Sequence, residues 1–340
     1  MSESNKRNFI VHGSILAIAG ILVRIIGMLY RIPVVNIIGS EGNGIYGAAF
    51  NIYNIMLVLS SYGLPMAVSK LVSARFTKRR YKSAAKVLRC SLMVAVCTGG
   101  IAALLVFFGA SFIENVIYGG GLPGLAVPLR ILAPTIFLVA ILGVIRGFFQ
   151  GQSTMIPTAV SQILEQIVNA IVSIAAGYGM MKAFASSPDV AAYGAAGSTL
   201  GTAMGALTAV LFMGFLYAVY TPTFNRLKRK DRHTENQSTG QICKIIIYTM
   251  IPIILGQTFY QISALIDDVM FSNIMVGRDI TKSISMDLGN FSSSYSLLIG
   301  IPQGVASAMS ASMLPSVVAS FTDRDYDSIS VSYTHLRAHE

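Results

Sequence analysis

The chain has 340 residues, of which 54% are hydrophobic and only 12% charged, and its mean hydropathy is +0.64. A soluble domain carries about 25% charged residues, so a soluble fold is excluded. Collagen and disordered tails are excluded too, because the 31 Gly and 11 Pro lie inside apolar runs. What remains is an all-α polytopic membrane protein, whose net charge of +10 points either to nucleic acid or to membrane topology.

Runs of about 20 apolar residues mark membrane-spanning helices. Eight follow in chain order: Phe9–Ile38, Ile45–Val68, Ser91–Ile113, Leu125–Val144, Ile156–Met181, Ala191–Tyr220, Ile245–Phe271 and Leu288–Val318. Strands are not expected, since a barrel would show segments of about ten residues alternating apolar and polar. The first run is too long, and too interrupted by Arg24 and Arg31, for a cleaved signal peptide.

The basic residues sort by connection. Of the 25 Lys and Arg, 19 fall at the amino terminus, in alternate connections and in the tail, with the densest sets at Lys70–Arg89 and Arg226–Lys244. Arg146 is counted among these loop cations. The opposite connections hold only Lys182, Arg278 and Lys282. Enrichment of Lys and Arg on the cytoplasmic side then places the amino terminus in the cytoplasm. The runs flank spans and lack a set of stacking aromatics, which argues against nucleic acid. Cys90, Cys97 and Cys243 show no CxxC spacing and the four His are scattered, so no metal site is expected.

Ionisable residues within spans face a protein interior or an aqueous cavity. In the first span Gly20, Arg24, Gly27 and Arg31 fall on one helical face. Small residues there admit a close neighbour, and guanidinium groups offer planar recognition of phosphate or carboxylate. The alternatives are that Arg31 snorkels to the interface and that Arg24 pairs with a carboxylate of another helix. Arg130, near the start of the fourth span, is a third cavity cation or another snorkelling one. The fifth span carries Gln162, Glu165, Gln166 and Asn169 on one stripe, with Glu165 as a partner for Arg24, an ion-sensitive group, or part of a hydrogen-bonding glue between helices. The seventh has Gln257, Gln261, Asp267 and Asp268, and its two adjacent aspartates point to different faces. The candidate substrate-binding set is therefore Arg24, Arg31, Arg130, Glu165, Gln166, Asn169, Gln261 and Asp267. No nucleophile elbow, HExxH, P-loop or paired-carboxylate cleft occurs, so an enzyme is not expected.

A long basic connection, residues 223–244, separates six spans (1–222) from two more (245–322), followed by a polar tail (323–340) that reads as a candidate artefact. The Gly63–Ser69 stretch is echoed by Gly304–Ser310, suggesting parallel repeats.

Three stretches carry a family resemblance: Ile38-Gly39-Ser40-Glu41-Gly42-Asn43-Gly44-Ile45-Tyr46, Gly63-Leu64-Pro65 through Ser69-Lys70, and Arg146-Gly147-Phe148-Phe149-Gln150-Gly151 running on to Gln162-Ile163-Leu164-Glu165-Gln166. Together they resemble the polysaccharide-biosynthesis and stage V sporulation protein B branch of the multidrug/oligosaccharidyl-lipid/polysaccharide exporter superfamily. The resemblance implies a MATE-like two-lobed bundle, with the first lobe complete at six helices and the second truncated at about two. It implies a flippase for lipid-linked anionic glycans that works by alternating access, with first-helix arginines such as Arg24 facing the cavity. The lipid bilayer and cell-wall synthesis proteins are the other expected partners. No cofactor is expected, and a coupling ion or the membrane potential is left open as driving force. The competing readings are a cation-coupled multidrug exporter, an intramembrane transferase on lipid-linked sugars, and a non-transporting cell-wall scaffold.

Overall fold

The computed structural model describes residues 3–232, 237–278 and 284–291, and every regular element among them is helical. They are α1 (Glu3–Ser60), α2 (Leu64–Thr77), α3 (Tyr81–Phe112) with a π-helical turn Ile113–Ile117, α4 (Ala126–Gln150), α5 (Ile156–Ala183), α6 (Val190–Lys230) and α7 (Thr239–Val276). A last helical stretch covers 284–291. Among the described residues, six helical segments are long and apolar enough to cross a membrane, the first being Ile18–Thr77. The eighth expected span beyond Phe291, and the polar tail, lie outside the described residues.

The first segment is 60 residues long, about 90 Å of helix against a hydrocarbon core of about 30 Å. It crosses twice because it folds back. Arg31 and Asn43 are 12 residues apart, yet their side chains approach to 3.5 Å, where a continuous helix would separate them by about 18 Å. The reversal is at Gly39, whose φ of 67° and ψ of 178° belong to a region open essentially to glycine alone. The two spans expected over Phe9–Ile38 and Ile45–Val68 are thus the legs of one hairpin. The second leg breaks at residues 61–63 and resumes as α2, with Pro65 in its first turn. There Pro65 lies against α4, so close that a Cβ on Gly147 would come within 2.6 Å of the Pro65 carbonyl oxygen.

The turns sort into two ends. At one, Phe76 of α2 stacks on Phe224 of α6, Lys82 N–H donates to Asp231, and Arg75 reaches Gln237. At the other lie the Gly39 reversal and the 113–125 segment. There Ser272 of α7 donates to the Tyr118 carbonyl, and Glu114 accepts from the N–H groups of Gly124 and Ala126, capping α4. Each end has its own apolar core, one around Phe148, Phe224 and Met213, the other around Tyr118, Leu122, Leu129 and Ile45.

The connection expected over 223–244 is shorter than that. Helix α6 runs on to Lys230 and α7 starts at Thr239, where Ser238 and Gln241 form a reciprocal capping box. The extension is stable beyond the apolar run because Phe224 is buried among Phe76, Phe148 and Tyr220.

Candidate functional site

The first leg of α1 and helix α5 run parallel in a fixed register. A Cβ on Gly27 would lie 3.2 Å from Gln166 Nε2, Asn169 Nδ2 lies 3.4 Å from Tyr30 Oη, and Ile38 faces Gly177. The Tyr30–Asn169 offset of 139 residues holds for the other two pairs as well, so Arg24 lies one turn before the Gly27 contact and Arg31 directly follows Tyr30. Helix α5 is in turn clamped against α6, which runs antiparallel to it. A Cβ on Gly205 would meet the Glu165 carbonyl oxygen at 2.6 Å, and one on Gly201 would run into Ser173 Oγ. Small residues spaced three and four apart let two backbones approach this closely without lipid between them.

This clamp sets the polar stripe of α5 in place, and two of its members, Glu165 and Asn169, have definite partners. Glu165 does not serve Arg24. Its Oε2 accepts from Arg146 Nη2 at 2.7 Å, and Arg146 Nε donates to Ser161 Oγ at 2.9 Å. The reason is local: Arg146 lies inside α4, one turn before its end, and not in a connection as the charge count assumed. Asn169 is buried and its Oδ1 accepts from Ser173 of α5 and Thr202 of α6 at 2.9 and 3.4 Å. It therefore joins α1, α5 and α6.

Arg31 is half-buried. Its guanidinium carbon sits 5.0 Å from the centre of the Tyr46 ring, and its Nη2 is 3.5 Å from Asn43 Oδ1. Both partners are electrically neutral and both belong to the second leg of the hairpin. Asn43 is itself 1% exposed and donates to the Gly289 carbonyl at 2.9 Å. Arg24 is exposed on the same face of α1, seven residues earlier.

Arg130 does not join this group. Its Nη2 donates to Ser111 Oγ at 2.8 Å, beside Phe108 and Phe112, which are 76% and 59% exposed. It faces the outward side of α3, consistent with a cation snorkelling along apolar surface. On α7, Gln261 is half-buried and Asp267 exposed, while Asp268 turns inward and accepts from Asn51 Nδ2 at 2.6 Å. Near it the Tyr118 phenol is held above its ordinary range, by burial first and by the Asp268 charge second. Reasoning from the sequence thus missed Asn43, Tyr46, Asn51 and Arg146. It took Asp267 where Asp268 makes the contact. Among the described residues no three His, Cys, Asp or Glu converge on a metal-sized site.

The fold matches that of solved MATE structures. A crystal structure of MATE in the straight conformation superposes with a TM-score of 0.63 at 17% identity, covering 97% of this chain and 68% of that one. The outward-facing conformation of a multidrug resistance MATE family transporter of the MOP superfamily gives 0.62 at 17% identity, with 96% and 69% coverage. By sequence, residues 10–321 match the model of the polysaccharide biosynthesis protein family, and the chain belongs to that family. Among curated relatives, lipid II flippase MurJ of Bacillus subtilis (strain 168) is 28% identical over 319 residues, covering 92% of this chain and 58% of MurJ. Stage V sporulation protein B of the same organism is 25% identical over 316 residues, again with 92% and 58% coverage. The chain therefore spans 58% of the length of these two relatives.

Proposed function

We propose that this chain forms the amino-terminal part of a flippase that carries a lipid-linked anionic oligosaccharide across a bacterial plasma membrane. The observation that carries this reading is Arg31, a half-buried guanidinium whose partners among the described residues are neutral, on the face of α1 that also bears Arg24. Its charge is not cancelled by the α5 carboxylate, because Glu165 is taken by Arg146. A cationic face suits a diphosphate head group, which guanidinium groups bind through paired hydrogen bonds, and it disfavours a cationic drug. The family match and the flippase among the relatives support the same substrate class. The transferase reading is dropped in favour of the flippase that one curated relative is named as.

In this reading residues 1–222 are one lobe, 245 onward begins a second, and rocking of the lobes exposes the α1 face to each side in turn. The basic end of the bundle, with Arg75, Lys82 and Lys228, is the cytoplasmic one. An anion moving outward from an inside-negative cell is helped by about 2.3 kcal/mol per charge per 100 mV, so no cofactor is required. The test is made in cells that depend on the gene for this chain, by measuring lipid-linked precursor in the inner leaflet. Arg31→Ala and Arg24→Ala are each expected to slow translocation about tenfold or more with insertion intact, and Lys at either position is expected to restore little. Normal precursor turnover in both Ala variants overturns the reading, as does export of a cationic dye without any change in precursor.

A further inference from the structure

A second basic site stands apart from the α1–α5 face. At the end of the bundle that holds Arg75 and Lys228, a cavity of about 470 Å³ is lined by Lys82, Lys86, Arg89, Cys90, Met93 and Lys228, with Ala85 and Thr239 completing it. No residue of α1 or α5 contributes. Four cations converge here, and among the described residues none of them makes an ion pair. Lys86 donates to the Gln237 carbonyl and Lys228 lies 5.2 Å from the centre of the Phe224 ring, both neutral partners.

The cations of α3 belong to a longer stripe. Lys82, Lys86 and Arg89 are spaced four and three apart, and the same face continues through Met93, Val96, Leu104 and Phe107. Those four apolar side chains are 57%, 47%, 58% and 43% exposed. One face of one helix therefore passes from a basic cup to bare hydrocarbon. From Met93 to Leu104 the helix rises about 16 Å, half of a core about 30 Å thick, the depth of a single leaflet. A water-borne anion or an acidic protein would use the cup and leave the stripe bare. A lipid of the same leaflet covers both.

We infer that this cup and stripe bind an anionic glycerophospholipid, its phosphate among Lys82, Lys86, Arg89 and Lys228 and an acyl chain along Met93–Phe107. Basic pockets between membrane helices at the cytoplasmic surface are suited to such head groups. The site is independent of the proposed transport activity, so either can fail alone.

The chain contains no Trp, which allows a reporter. Met93→Trp, at an exposed position, puts one indole beside the cup. The purified variant is reconstituted in phosphatidylcholine vesicles containing increasing fractions of brominated phosphatidylglycerol or, separately, brominated phosphatidylcholine. Indole quenching by the anionic lipid is expected to saturate at a lower fraction than quenching by the zwitterionic one. Neutralising each cation, by Lys86→Gln or Arg89→Gln in the same background, is expected to weaken the preference about fivefold, while Lys86→Arg preserves it. Each neutral variant is made singly, so failure of one to fold leaves the other to carry the test. Equal quenching by the two lipids overturns the inference, as does a preference that survives both neutral substitutions. Protection from quenching by inorganic phosphate would assign the cup to a soluble anion instead. Displacement by a smaller fraction of undecaprenyl diphosphate would assign it to the lipid-linked substrate. Either result also overturns the inference.

Discussion

The Arg146–Glu165 pair joins α4 to α5 and is the point at which a structural and a substrate-binding role for Glu165 separate. Its side chains are 14% and 26% exposed, so it is neither a surface pair, worth about 0–1 kcal/mol, nor fully desolvated. Removing one partner of a buried pair costs about 3–5 kcal/mol because the other charge is stranded. With partial exposure, Arg146→Gln is expected to cost about 3 kcal/mol, including the loss to Ser161. Glu165→Gln keeps an acceptor for Arg146 and is expected to cost about 2 kcal/mol. The double variant strands nothing and is expected to resemble the worse single one, which makes the coupling energy about 2 kcal/mol. The assay is unfolding of the purified protein in mixed micelles, followed by far-UV circular dichroism, run as a double-mutant cycle. A coupling below about 0.5 kcal/mol would refute the argument. So would a Glu165→Gln variant as stable as the parent but devoid of transport, since that places the carboxylate on the substrate.

Three further outcomes rest on single contacts. Gly205→Ala drives a methyl to 2.6 Å from the Glu165 carbonyl oxygen, and the α5–α6 clamp is expected to loosen by about 1–3 kcal/mol; unchanged stability in the same micelle assay would mean that the helices separate freely there. Ser238→Ala removes one half of the capping box at the start of α7, at a cost of about 1 kcal/mol, which hydrogen exchange reads as faster exchange in the first turn of α7 with α5 unaffected. Asn51→Ala removes the 2.6 Å donor to Asp268, at a cost of about 1.5–3 kcal/mol; a spin-label distance between the Gly39 hairpin and α7 that neither lengthens nor broadens would show that this contact does not hold the two elements together.

Hydropathy made the helices legible because a membrane leaves few alternatives for a polar backbone. The hairpin was legible because two apolar runs, Phe9–Ile38 and Ile45–Val68, flank a glycine-rich stretch that contains Gly39. Side-chain pairing was not legible, and each miss has a geometric cause. Arg146 was counted with the loop cations because a charge tally sees only the end of an apolar run, whereas α4 continues to Gln150 and turns the guanidinium toward α5. Asp267 and Asp268 differ by about 100° on one helix, and only the position of Asn51 on another element chooses between them. The connection over 223–244 was overdrawn because Phe224, isolated among polar residues, finds its apolar partners on α2 and α4. Arg130 shared a composition with the α1 arginines but not a face, since its neighbour is Ser111 on the outer side of α3.

Sorting the intramembrane polar groups by partner changes what the charge on α1 means. Glu165, Asn169 and Asp268 each hold helices together: α4 to α5, α5 to α1 and α6, and α7 to the second leg of the hairpin. Once those are assigned, the α5 carboxylate is engaged by Arg146, and among the described residues the partners of Arg31 are an aromatic ring and an amide. A guanidinium in that setting is stabilised without being neutralised, which is the condition for meeting an anion in a cavity of low dielectric. The two partners of Arg31 come from beyond the Gly39 reversal, so the hairpin itself orients the guanidinium. Any motion that opened the hairpin would release it. Under the proposed alternating access, a hairpin that moves as a rigid unit keeps Arg31 on its two partners throughout.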